Sequence, residues 1–217
     1  GLLSGLFYEF VVVTESDADR AFYQEVNERL LQYKPAWGIP NCLFLNAQNK
    51  QTVQTLLRPL RKLGIPAAGV VDVDVLKEGG SNWTNLLSSA DVPQLSHGSF
   101  ATLRAAVKSA MDATGKDMKR EGGLAILSGA DRQAAENLLT QLRQYGIFVI
   151  PGGELESWMK SLGATNHGPA WLIDVFERMG EDPSNPNYVR PNAGDVWAFL
   201  RDIRSWLVDP ARKGIPA

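Results

Sequence analysis

Apolar residues in this chain form short continuous runs, separated by stretches in which they recur every three or four positions. The run Phe10-Val11-Val12-Val13-Thr14 is β-branched without polar alternation and predicts a strand buried on both faces. Glu15-Ser16-Asp17-Ala18-Asp19-Arg20 follows, then Phe22, Val26, Leu30 and Leu31 at the spacing of one helix face. A Pro/Gly-rich turn over residues 35–40 leads into a second strand, 42–45. Residues 51–63 read as a helix with Val53, Leu56, Leu57 and Leu60 on one side, kinked by Pro59 and capped by Gly64. A third strand, 67–73, ends in Asp72-Val73-Asp74.

Strand, helix, strand, helix, strand predicts a parallel sheet with right-handed crossovers. Strand signals return only at 124–127 and, more clearly, at 147–150, whereas one crossover needs only about a dozen residues. Residues 77–123 are therefore read as an inserted helical subdomain, with a helix at 100–113 and a polar link at 115–123. The helix 131–145, with Ala134, Leu138, Leu139 and Leu142 inward and Gly146 at its end, feeds 147–150, taken as the fourth strand; the status of 124–127 stays open. Further helices are predicted at 169–179 and 194–207. The expected class is α/β, a Rossmann-like, mostly parallel sheet with flanking helices, built from 1–76 and 124–217 around the insertion.

Composition narrows the setting. A chain of 217 residues with 44% hydrophobic and 21% charged residues suits a soluble globular protein, and no apolar run is long enough to span a bilayer. One cysteine, Cys42, excludes an internal disulfide framework and a multi-cysteine zinc site, so a cytoplasmic setting and a core thiol are expected. A net charge of −2 argues against a surface that grips nucleic acid by basic residues alone. The chain opens at Gly1 without a methionine, so a longer parent protein is expected.

Candidate chemistry lies at the strand ends. In an open parallel sheet, ligands bind at the carboxyl ends of the strands. Glu15 follows the first strand, Asp72 and Asp74 close the third, and Glu154 and Glu156 follow the fourth. Carboxylates sharing one crevice repel one another, and a hard cation relieves that repulsion; clustered Asp and Glu oxygens suit Mg²⁺ or Mn²⁺. Positions i and i+2 of a strand share a face, which would aim Asp72 and Asp74 together. Two ions could then activate an attacking oxygen and steady a leaving one at phosphorus. Ser16 with Asp19 also has capping-box spacing, an ordinary reason for Asp19. Glu154 and Glu156 share a face only if their segment is extended.

Val13-Thr14-Glu15-Ser16-Asp17-Ala18-Asp19-Arg20, Asp72-Val73-Asp74 and Gly153-Glu154-Leu155-Glu156, in this order, resemble the TOPRIM domain of the OLD (overcoming lysogenization defect) nuclease family. The resemblance spans about Phe10 to Trp158 and includes the long helical insertion. It implies a two-metal DNA endonuclease attached to an N-terminal ABC-type ATPase in a prokaryotic defence protein, with DNA as partner and a homodimer compatible with it. It makes Glu15, Asp19, Asp72, Asp74 and one of Glu154 or Glu156 metal ligands, Glu15 also catalytic. A basic residue is expected nearby, with Lys213 and Arg212 as candidates and Lys160 after them. Ser16 stands where many TOPRIM proteins have Gly, and no tyrosine is set for a covalent DNA link, which disfavours a primase or topoisomerase.

Other readings explain less. A glycosyltransferase would use Asp72 and Asp74 but not Glu15 or the Glu154 segment, and a HAD-type phosphatase would carry its Asp-x-Asp after the first strand. A TOPRIM-like scaffold with idle acids is the non-enzymatic rival. His97 and His167 have no carboxylate or cysteine beside them in sequence and are set aside. Trp83, Trp158, Trp171, Trp197 and Trp206 read as core, and Trp37 as exposed. Arg58, Arg61 and Lys62 read as a solvated helix face, with phosphate tracking as their other role; Lys116, Lys119 and Arg120 in the link are weighed the same way.

Overall fold

The apolar runs become parallel strands: β1 (Phe10–Thr14), β2 (Cys42–Asn46), β3 (Ala67–Val71) and β4 (Ile147–Val149). The computed structural model describes residues 2–215, so Gly1, Pro216 and Ala217, counted in the sequence-based division, lie outside it. Among the described residues the strands form one all-parallel sheet in the order β2-β1-β3-β4. Seven α-helices accompany it: α1 (Asp17–Tyr33), α2 (Lys50–Lys62), α3 (Gly80–Ser89), α4 (His97–Ala113), α5 (Gly129–Gln144), α6 (Pro169–Met179) and α7 (Asp195–Val208).

Strand side chains alternate between two cores. Val11, Val13, Ala67, Val71, Ile147 and Val149 pack with residues of α2, α3, α4 and α5. Val12, Ala68, Val70 and Phe148 pack with α1, α6 and α7 on the other face. All the strands are thus apolar on both sides, as their unalternating sequences require. The second core is aromatic: Trp158 Nε1–H donates to Tyr23 Oη at 2.9 Å, and the Trp158 and Phe199 rings lie 5.0 Å apart. The five tryptophans expected inside are buried, while Trp37 is half-buried beneath the Arg201 guanidinium.

The residues between β3 and β4 add α3 and α4, whose Trp83, Leu86, Leu87, Phe100, Val107 and Met111 share the first core with the sheet. Arg104 of α4 donates to the Leu76 carbonyl at 2.9 Å, bracing the turn that follows β3. Several expectations need correction. β3 stops at Val71, and 73–77 form a 3-10 turn, because the Val73 N–H bonds to the Gly153 carbonyl and the Val75 N–H to the Asp72 carbonyl. The open status of 124–127 is resolved: Gly123–Ile126 is a 3-10 turn held by Leu124 N–H on the Pro151 carbonyl. Helix α2 is where it is expected, and it continues through Pro59 to Lys62. Cys42 is half-buried rather than fully inside, with burial pushing its thiol up.

The largest correction concerns Arg61, which is not on a solvated face but 1% exposed. Its guanidinium donates to the carbonyls of Ala67, Tyr145, Gly146 and Gly214 at 2.8–3.2 Å and lies 5.0 Å from the Trp206 ring centre. Burial pulls its pKa down to about 9, so it remains charged at neutral pH. One planar fork thereby joins the starts of β3 and β4 to the C-terminal segment. Arg61→Ala would orphan buried carbonyls and is expected to cost about 3–4 kcal/mol, with Arg61→Lys recovering only part of it. Denaturant midpoints measure both; a wild-type midpoint for Arg61→Ala would refute the bracing role.

Candidate metal centre

Glu15, Asp72 and Glu154 meet at the carboxyl edge of the sheet because β1, β3 and β4 are neighbours that end at the same level. Backbone stitches hold that edge together. The Asp72 N–H donates to Glu15 Oε1 at 2.9 Å, and the Val73 N–H to the Gly153 carbonyl at 2.8 Å. Glu15 itself sits between the last residue of β1 and Ser16, the N-cap of α1.

Asp19 forms the reciprocal capping box. Its Oδ2 accepts from the Ser16 N–H and hydroxyl at 2.9 and 2.6 Å, while its own N–H donates to Ser16 Oγ. That capping work occupies Asp19, which borders the same cavity. Asp72 is extended, with φ −67° and ψ 158°, and Asp74 lies in the following 3-10 turn, so the shared-face argument for a strand does not apply. The turn nonetheless keeps Glu15, Asp72 and Asp74 together, with one oxygen of each within 4.8 Å of the others.

Glu154 is extended and buried, and Glu156 lies in the 3-10 turn Leu155–Ser157. They remain close, and His167 joins them: its Nε2 is 3.4 Å from Glu154 Oε1 and its Nδ1 3.3 Å from Glu156 Oε1. Glu156 Oε1 also accepts from the Gly168 N–H at 2.7 Å. The turn is anchored from behind by Asp195, whose Oδ2 accepts from the Met159 N–H. His167, set aside from sequence, thus belongs to a second potential ligand group with Glu154 and Glu156.

The basic residue here is Lys119. Its Nζ is 2.7 Å from Asp72 Oδ2, 4.0 Å from Asp74 Oδ2 and 3.9 Å from Glu154 Oε2. Lys213 does not reach this edge; its ammonium lies over the Tyr145 ring and near Gln144 Oε1, beside the start of β4. Arg212 bonds to the Asp209 carbonyl nearby, and Lys160 is exposed in a separate turn. The C-terminal tail leads to the amino edge of the sheet, which is why its charges miss the site.

Lys119 arrives on the link that follows α4. Buried Met118 anchors that link in the core, and the Gly123 N–H donates to the Met118 carbonyl. The link lies backbone to backbone on Pro151-Gly152-Gly153, which only glycine permits. A Cβ on Gly153, at φ +120°, would stand 2.0 Å from the Lys119 carbonyl oxygen, and one on Gly123, at φ +57°, would stand 2.1 Å from that of Pro151. From sequence Lys119 reads only as a link charge with a phosphate-tracking role and His167 as unpartnered, since both reach the acids only through tertiary packing.

Burial, then the neighbouring Asp72 charge, pushes Glu15 up to about 8; burial likewise pushes Asp72 up to about 7, against the opposing pull of Lys119. Burial also raises Asp19 and Glu154. For Lys119, burial favours loss of the proton, but the hydrogen bond and charge of Asp72 outweigh it and hold the ammonium above its usual range. The site opens into a cavity of about 440 Å³ whose walls include Gln48, Asn49 and Pro169. Two oxygen-rich groups, one all-carboxylate and one with an imidazole, have the donor chemistry of divalent-ion sites.

Protein-family models, curated proteins and solved structures contain no match to this chain. What is defined is an α/β protein with a four-stranded parallel sheet and an acidic crevice at its carboxyl edge. No helix among the described residues is long and apolar enough to cross a membrane.

The raised carboxyls make a linkage prediction. Between about pH 4 and pH 8 the native state holds protons on Glu15 and Asp72 that the unfolded chain has released, so metal-free stability falls as pH rises through that window. Asp72→Asn should flatten this fall in EDTA. Mg²⁺ or Mn²⁺ should oppose it, stabilising more at pH 8 than at pH 5 because the ligands bind deprotonated. Thermal melts across this range, with and without metal, check it; identical melts with metal and with EDTA at pH 8 would count against an ion at these acids.

Proposed function

We propose that this chain is a TOPRIM-like catalytic domain of a metal-dependent DNA endonuclease. The observation that carries the reading is the convergence of Glu15, Asp72, Glu154 and Glu156 on one open cavity, with Asp74 beside Glu15 and Asp72 and Lys119 reaching Asp72, Asp74 and Glu154. The resemblance of the three acidic motifs to OLD-family nucleases supports it, and with it an ABC-type ATPase in the same protein, a homodimer and a cytoplasmic defence role.

In this reading Glu15, Asp72 and Asp74 would hold one Mg²⁺ or Mn²⁺ and Glu154 and Glu156 a second, with Asp19 shaping the edge of the site from its cap. Ions bound there would neutralise the acids, draw in a backbone phosphate and polarise the oxygens that attack and leave. Glu15 keeps one oxygen on the Asp72 N–H, which fixes the orientation of the other. Lys119, once the acids are neutralised, is freed to face a non-bridging phosphate oxygen and stabilise charge that grows during displacement. With a net charge of −2, DNA is held mainly through these cations.

Supercoiled plasmid should be nicked in Mg²⁺ or Mn²⁺ and left intact in EDTA. Asp72→Asn and Lys119→Met should each lower the rate on the order of a hundredfold. Gly153→Ala should imitate the lysine variant by pushing the Lys119 backbone away. Unchanged cleavage by Asp72→Asn would reject catalysis at this crevice; normal cleavage by Lys119→Met would reject only the lysine's role.

A further inference from the structure

The two ligand groups differ chemically, and we infer that they select different ions. Glu15, Asp72 and Asp74 offer only carboxylate oxygens, a donor set for Mg²⁺ or Mn²⁺. Glu154, Glu156 and His167 add an imidazole, which raises affinity for first-row transition ions relative to Mg²⁺. This inference rests on the two-ion reading and assigns His167 as a ligand within it.

Three observations carry it. First, both ring nitrogens of His167 face carboxylate oxygens, at 3.4 and 3.3 Å. An ion bound there would take the place of a proton on one ring nitrogen and leave the other to donate to a carboxylate. Second, the ligand atoms lie within 4.8 Å of one another, close to the roughly 4 Å between opposite ligands on one ion with bonds of about 2.1 Å. Third, Glu154 links the two groups, its Oε2 3.9 Å from Lys119, which pairs with Asp72, and its Oε1 3.4 Å from His167. The Gly168 N–H holds Glu156 Oε1 beside the ring. His167 is 62% exposed on its side chain, so an ion can reach it from the cavity and its replacement leaves both cores untouched.

The test is Mn²⁺ binding to the whole chain in excess Mg²⁺, read by equilibrium titration and by pulsed electron paramagnetic resonance for ¹⁴N coupling. One Mn²⁺ that resists Mg²⁺ competition and shows ¹⁴N coupling is expected. His167→Gln should remove the coupling and weaken that Mn²⁺ by about tenfold or more, while His97→Gln, altering the only other histidine, changes neither. Asp72→Asn should lower the number of ions bound yet keep the ¹⁴N signal. Mn²⁺ bound without ¹⁴N coupling, or coupling that survives His167→Gln, would overturn the assignment of His167 and leave the two-ion nuclease reading standing. No Mn²⁺ or Mg²⁺ bound by the wild-type chain would overturn both.

Discussion

The Arg61 guanidinium, drawn out of water at the amino edge of the sheet, is compensated by carbonyls from the start of β3, the turn before β4 and the C-terminal segment. Those segments are distant in sequence, and a planar set of donors satisfies them together. Because Arg61 ends helix α2, the same contact ties that helix to the strands beneath it. The level at which β3 and β4 begin is thereby set, and with it the level at which they end.

At the carboxyl edge the electrostatic problem is reversed. Anionic groups are crowded where solvent only partly reaches them, and Glu15 and Asp72 respond by holding their protons to unusually high pH. Lys119 supplies a tethered positive charge between Asp72, Asp74 and Glu154. Its position depends on Met118 in the core and on the close backbone approach at Gly123 and Gly153. The residues that interrupt the simple strand-helix-strand order are therefore part of the site, since they deliver the Lys119 ammonium to the acids and brace the turn after β3 through Arg104.

The two edges share a design principle in their use of backbone. Carbonyls satisfy the buried cation at one end, and N–H groups at the other orient acids: Asp72 N–H on Glu15, Ser16 N–H on Asp19, Gly168 N–H on Glu156 and Met159 N–H on Asp195. Side chains fixed in this way present defined oxygens to a ligand without needing it to organise them. That organisation follows from where strands end and helices begin.

Much of this was legible in the chain. Unalternating β-branched runs identify strands covered on both faces, because burial on both sides leaves no position for a polar residue. Helix periodicity identifies α1, α2, α4, α5, α6 and α7 within a few residues, and the parallel topology then sends Glu15, Asp72 and the Glu154 segment to one edge. Tertiary structure alone decided the rest. Whether a basic side chain lies buried like Arg61, idle like Lys213 or among acids like Lys119 depends on which segments pack beside it, and spacing along the chain carries no such information. The same holds for His167, whose partners precede it in sequence but reach it only because the 3-10 turn and the Gly168 N–H fold the segment back. Periodicity records which side of an element faces the core, while a site is a meeting of ends, and ends meet only once the sheet has formed.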